Sequence, residues 1–278
     1  MGNFADSGRP LCLALLISWA VLTAGCANLA GDQGPAAVPE VRPGLLMGYL
    51  SQDALPNSLT LVPSPPASGS AALALDEEVA RNNIALRGTP RWELAISDAD
   101  LHFPHAAGTF SCALDAPITE ESAPYLYLLL RRTLTDAGLS TYTAKNNYSR
   151  PRPFMVNNEP TCTPEDQPSL EQDGSYPSGH TAIGWAWALI LSEIAPDRAD
   201  AILARGLAYG ESRNVCNVHW HSDVVQGRFM GAGTVARLHA DPLFRADLEA
   251  AKAEFAAIRA KGLKPERDCA AEAAALGT

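Results

Sequence analysis

Residues 178–196, SGHTAIGWAWALILSEIAP, constrain the fold more than any other stretch. From Thr181 to Ile194 the run is apolar, interrupted only by Ser192 and Glu193. Ser178 stands where a helix N-cap belongs, and Pro196 ends the segment. The run is too short to cross a hydrocarbon layer of ~30 Å. It must therefore be buried by the rest of the chain, and the body of the protein is expected to be soluble. One residue sits oddly. His180 places an imidazole on the first turn of a helix that is about to be buried. The N–H groups of that turn have no partner within the helix, so they suit capping by Ser178 or the binding of an anion.

The other long segments also carry a helical period. SAALALDEEVARNNIAL (70–86) has apolar residues at spacings of three and four. TEESAPYLYLLLRRTLTDAG (119–138) opens on Thr119 and two acids, aligns Leu126, Leu130 and Leu134 on one face, and stops at Gly138. Three more follow: DRADAILARGLAYGESR, SDVVQGRFMGAGTVARLHA and DPLFRADLEAAKAEFAAIRAKG. The last opens on Asp-Pro and closes on Gly. No stretch sustains a period of two, and no internal repeat is seen. The expected fold class is all-α, one globular helical domain over about residues 45–265. Residues 266–278 read as a C-terminal tail. LVPSPPASGS (61–70) reads as an ordered Pro-rich loop.

The chain has 278 residues, 47% of them hydrophobic, enough for a sizeable core. Its net charge is −10, which argues against nucleic acid as a partner. Any anion must be met by a local positive pocket, against the field of the whole molecule. Residues 1–26 read as an export signal: Arg9, an apolar stretch from Leu11 to Leu22, then small residues before Cys26. TAGC is similar to a bacterial lipoprotein box, so Cys26 is a candidate lipid attachment site and membrane tether. Cleavage to a free exported protein is the alternative. Residues 27–44 are rich in Gly, Pro and Ala and read as a tether. The expected location is the periplasm or cell envelope. Cys112, Cys162, Cys216 and Cys269 then remain, which suggests two disulfides with three possible connectivities. The oligomeric state is open, a homo-oligomer included.

Three clusters carry the chemistry. KNNYSRPRP (145–153) brings Lys145 and Arg152. YPSGH (176–180) brings Ser178, Gly179 and His180. GESRNVCNVHWHSD (210–223) brings Arg213, His219 and Asp223. Taken singly, each has a plain reading: a solvated basic turn, a capped helix start, a surface i,i+4 ion pair. On one helix, His219 and Asp223 would share a face, and the carboxylate would fix the imidazole tautomer. His219 and His221 are two apart and lack a third ligand, and no C-x-x-C pair exists, so no metal site is expected. His102, His105 and His239 show no partner pattern.

Together the clusters form one signature: Lys145, six residues, Arg152-Pro153; then Pro177-Ser178-Gly179-His180; then Ser212-Arg213, five residues, His219, three residues, Asp223. The chain thereby resembles the type-2 phosphatidic acid phosphatase and vanadium haloperoxidase superfamily. RGTPRW (87–92), DADL (98–101), DGSYPSGH and GESR…CNVHW make it similar, over most of residues 45–235, to the bacterial class A non-specific acid phosphatases. The resemblance implies a helix-bundle core and hydrolysis of organic phosphomonoesters through a phosphohistidine. It implies His219 as nucleophile, His180 as general acid and Asp223 as the orienting carboxylate. Lys145, Arg152, Ser178, Gly179 and Arg213 would bind the phosphate, with no metal or other cofactor. Alcohols would compete with water for the intermediate. A vanadate-dependent haloperoxidase shares the pocket and is the enzyme alternative. A non-catalytic phosphate-binding lipoprotein is the alternative outside enzymes. The preferred ester is not written in these motifs.

Overall fold

The computed structural model describes residues 34–277. Residues 1–26, read as an export signal, and the candidate lipid site Cys26 lie outside them. In chain order the helices are α1 Ser58–Leu61, α2 Ala71–Ile84, α3 Pro90–Ser97, α4 Ser111–Leu114, α5 Pro124–Leu139, α6 Tyr142–Tyr148, α7 Pro153–Asn157, α8 Gln167–Leu170, α9 Gly179–Ile194, α10 Ala199–Val215, α11 His221–Leu238, α12 Pro242–Ala260 and α13 Cys269–Leu276. A small antiparallel pair, β1 Glu40–Arg42 and β2 Leu45–Leu46, is the only sheet among the described residues. Its turn uses Gly44 at φ +79°, a left-handed conformation that suits glycine. The architecture is all-α, as the helical periods imply. No helix among the described residues is long and apolar enough to cross a membrane.

The apolar run forms α9, and it packs against α5, α10, α11 and α12. Ala182, Ala186, Trp187, Ala188, Ile190 and Leu191 are fully buried. Trp187 can be buried because its indole N–H donates to the Leu130 carbonyl at 3.1 Å. The neighbouring helices come close because they present glycines. A Cβ on Gly227 would lie 2.6 Å from the Ser178 carbonyl oxygen, and one on Gly231 2.5 Å from that of Ala182. Gly206 meets Ala188 in the same way from α10, at 2.6 Å. α12 lays Phe244, Leu248, Ala251, Phe255 and Ile258 into the same core. Its Glu254 accepts the N–H groups of Tyr125 and Leu126, capping α5 from another helix.

Three boundaries differ from the sequence reading. The helix expected from Thr119 begins at Pro124. Thr119 instead closes a turn, its Oγ1 accepting the Ser122 N–H and its carbonyl the Ala123 N–H. Pro124 then takes the first helical position, where its missing N–H costs nothing. Within residues 27–44, read as tether, Glu40–Arg42 pairs as β1. The segment that follows is held on α5: Tyr49 and Leu50 N–H groups donate to Asp136, and Arg132 stacks on the Tyr49 ring at 3.6 Å. Within residues 266–278, read as tail, α13 packs on α3, capped by Asp268. The Cys112–Cys269 disulfide and a Glu272–Arg205 ion pair tie it down. The second disulfide joins Cys162 to Cys216, which selects one of the three connectivities.

Candidate active site

Each cluster delivers its side chains from a helix end. Lys145 is buried on α6. Arg152 is the N-cap residue of α7, and Pro153 sets the first helical position. Ser178 caps α9, its Oγ accepting the Thr181 N–H, so Gly179 and His180 form the first turn. Arg213 projects from the last turn of α10. Lys145, Arg152, Gly179, His180 and His219 line one cavity of about 440 Å³. Ser178, Arg213 and Asp223 are fully buried and are not among its lining residues. A Cβ at Gly179 would come no closer than 3.6 Å to protein, at Thr141 Oγ1, so the room it leaves is room in the cavity.

His219 is not on a helix. It precedes α11, whose N-cap is Trp220 and whose third residue is Asp223. The expected shared helical face is replaced by a capping arrangement. Asp223 Oδ2 accepts the Trp220 N–H at 2.8 Å and also faces His219 Nδ1 at 3.3 Å. A carboxylate accepts, so Nδ1 carries the proton. Arg152 NH1, which can only donate, lies 3.1 Å from Nε2, so Nε2 carries the lone pair. The imidazole is thus held as one tautomer, with the Nε2 lone pair turned to Arg152, and both residues line the cavity. Burial, then the charges of Arg152, Lys145 and Arg213, keep it well below the usual histidine range and therefore neutral.

His180 presents the opposite atom. Its Nε2–H donates to the Ala99 carbonyl at 3.0 Å, leaving Nδ1 to take or give a proton. Burial and the Arg213 charge hold this imidazole low as well. An arriving phosphate dianion would offset that charge and raise it. Arg213 itself has no hydrogen-bond partner for Nε among the described residues, and its NH1 meets only the Cys216 sulfur at 4.0 Å. Burial pushes it down to about 10. A buried guanidinium without an anion is costly unless a ligand supplies one.

Three residues of the site escaped sequence reasoning. Arg150 donates to Asp223 Oδ1 at 2.6 Å and to Asp76 Oδ2 at 2.7 Å. Asp76, on α2, also accepts the N–H and hydroxyl of Ser222. The chain Asp76–Arg150–Asp223–His219 thus fixes the imidazole from behind. Burial pushes Asp223 up while Arg150 draws it back. Asp173 is the third: its carboxylate meets both Lys145 and Arg152. Arg150 and Asp173 stand beside the motif residues in the sequence, but nothing in the spacing marks Asp76. Ser212, specified by the signature, donates to Asp98 and holds α10 in place rather than lining the cavity.

A helical bundle that sets Lys145, Arg152 and two imidazoles on one cavity, with the Arg213 charge buried close enough to act on both imidazoles, is built for phosphoryl chemistry, and comparison with known families agrees. Residues 124–245 match the PAP2 superfamily. A non-specific acid phosphatase of Providencia stuartii is 46% identical over 212 residues, 76% of this chain and 86% of that protein. An acid phosphatase of Zymomonas mobilis is 43% identical over 202 residues, 73% of this chain and 76% of that one. A non-specific acid phosphatase of Salmonella typhimurium is 41% identical over 200 residues, 72% and 80% of the two chains. The chain belongs to the bacterial class A non-specific acid phosphatases of the PAP2 superfamily.

Proposed function

We propose that this acid phosphatase hydrolyses phosphomonoesters through a phosphohistidine on His219. The observation that carries the reading is the locked tautomer: Nδ1 faces Asp223, Nε2 faces Arg152 NH1, and the ring belongs to the cavity wall. The Nε2 lone pair attacks phosphorus and the P–O ester bond breaks. His180 gives its Nδ1 proton to the leaving oxygen. The phosphorylated imidazole becomes cationic, and Asp223 stabilises that charge as it holds the ring. Water then attacks phosphorus, returns a proton to His180 and releases orthophosphate and neutral His219. Lys145, Arg152, Arg213 and the first-turn N–H groups of α9 carry the charge on the phosphoryl oxygens. Arginine forks suit paired oxygens, and lysine adds a point charge. A small alcohol in place of water would take the phosphoryl group, giving transferase activity.

Export to the cell envelope fits the N-terminal segment and the two disulfides, which persist in oxidising compartments. A lipid on Cys26 would tether the enzyme there. The experiment is a steady-state panel of aryl, sugar and nucleoside monophosphates on EDTA-treated enzyme. Turnover is expected to survive chelation. His219→Ala should abolish it, whereas His180→Ala should keep measurable turnover only on esters with activated leaving groups. Asp223→Asn should lower kcat by about a thousandfold or more, since the wrong tautomer then faces phosphorus. Near-native activity in His219→Ala would overturn the assignment.

A further inference from the structure

Two of the three cations assigned to phosphate are already occupied by the protein's own carboxylate. Asp173 Oδ2 lies 3.1 Å from Lys145 Nζ and 3.0 Å from Arg152 NH2. The side chain is one-third exposed, and Asp173 lines the same cavity as His180, Gly179 and His219. It belongs to the loop between α8 and the capped start of α9, whose backbone reinforces the contact. The Asp173 carbonyl accepts Arg152 Nε at 3.1 Å, and the Gly174 carbonyl accepts Lys145 Nζ.

A donor inventory shows what this means for a substrate. Arg152 Nε is taken by the Leu170 and Asp173 carbonyls, and NH1 by the Val218 carbonyl and His219 Nε2. Of NH2, one hydrogen goes to Asp173. Among the described residues a single Arg152 N–H is therefore uncommitted, too few for a bidentate grip on a phosphoryl group. Arg213 is the reverse case: buried, with its Nε unpartnered.

We infer that Asp173 is a competing anion built into the phosphate site, which a phosphoryl group must displace from Lys145 and Arg152. The inference rests on the phosphatase reading of this cavity. In the empty site the carboxylate offsets two buried cations that would otherwise be unpaired. When a phosphoester arrives, the α9 N-terminus at Gly179 meets it in the cavity, and its oxygens then replace Asp173 on Lys145 and Arg152. When orthophosphate is the product, the returning carboxylate helps expel it. Asp173 thus weakens binding of substrate and product alike and limits product inhibition.

Asp173→Asn removes the charge at nearly constant volume, and Asp173→Ser removes the reach as well. Orthophosphate affinity is measured by calorimetry and as the competitive inhibition constant. The variants should bind about tenfold tighter than wild type, because a charge-assisted competitor has been lost. Asp173→Glu should bind close to wild type. If Asp173 only orders Lys145 and Arg152, affinity would fall in Asn and Ser, which overturns the inference, as does a change within about twofold. A crystal structure of wild-type enzyme with orthophosphate needs no variant. Asp173 should have left both cations, and a retained bridge overturns the inference. Wild-type enzyme that binds no orthophosphate overturns the site reading and this inference together. Wild-type binding without tightening in the variants overturns the inference alone.

Discussion

Lys145 shows how burial sets the working range of a single residue. Desolvation, then the neighbouring Arg152 charge, push its ammonium down to about 8. Below that value it is charged and holds phosphate. Above it the proton leaves and the attraction goes. Phosphate affinity in wild type should therefore fall by up to about tenfold per pH unit on the alkaline side of about 8, where orthophosphate is already the dianion. Lys145→Arg keeps its charge throughout and should remove the fall. Calorimetric titration with orthophosphate across pH checks both curves, and an unchanged alkaline fall in Lys145→Arg would contradict the assignment. Eight residues could be named from the motifs, because their types and spacing are specified there, and five of them, Lys145, Arg152, Gly179, His180 and His219, line one cavity. Asp76, Arg150 and Asp173 could not be named, since each acts on a partner delivered by a different segment. The Asp76–Ser222 pair, for example, spans 146 positions.

At the scale of elements, catalysis depends on how α11 seats the start of α9. Gly227 faces the Ser178 carbonyl and Thr181, where a Cβ would lie at 2.6 and 2.9 Å. Gly227→Ala should push the first turn of α9 aside, and with it Gly179 and His180. We expect a loss of about 1–3 kcal/mol in unfolding free energy together with a fall in kcat/KM. Gly233→Ala on the same helix, whose Cβ would meet Leu61 at an ordinary 3.6 Å, should leave kcat/KM unchanged. Denaturant titration and steady-state kinetics on both variants separate close packing from helix propensity. The starts at Ser178 and Asp241 were readable because each precedes an apolar period. The late start of the helix expected from Thr119 was not, because Pro124 and a turn bond decide it. His219 was misplaced onto a helix because an i,i+4 pair looks the same whether Asp223 faces it within a helix or caps the helix behind it.

At the scale of the whole molecule, two disulfides among the described residues have different duties. Cys162–Cys216 binds the loop after α7 to the end of α10, close in sequence to His219, and the Cys162 N–H donates to the Cys216 carbonyl. Cys112–Cys269 closes a separation of 157 residues and fastens α13 to the body. Removing either should cost about 2–4 kcal/mol of stability. Cys162→Ser should also lower kcat in the folded enzyme, whereas Cys112→Ser should not. Thermal melts with kcat measured well below the transition check this, and equal kcat losses in both variants would contradict it. Nothing in the periodicity of CAAEAAAL marked α13 as part of the domain. Its apolar face is slight, and a distant cysteine and Arg205 supply the anchoring.

The phosphohistidine on His219 is the claim on which the mechanism turns, and it can be caught directly. Enzyme quenched in alkali during turnover of an aryl phosphate is digested and its peptides sequenced by mass spectrometry. The phosphoryl group should be found on His219, should be lost on brief acid treatment, and should be absent from His219→Ala. Label on another residue, or turnover with no phosphopeptide in either wild type or His180→Ala, would contradict the mechanism.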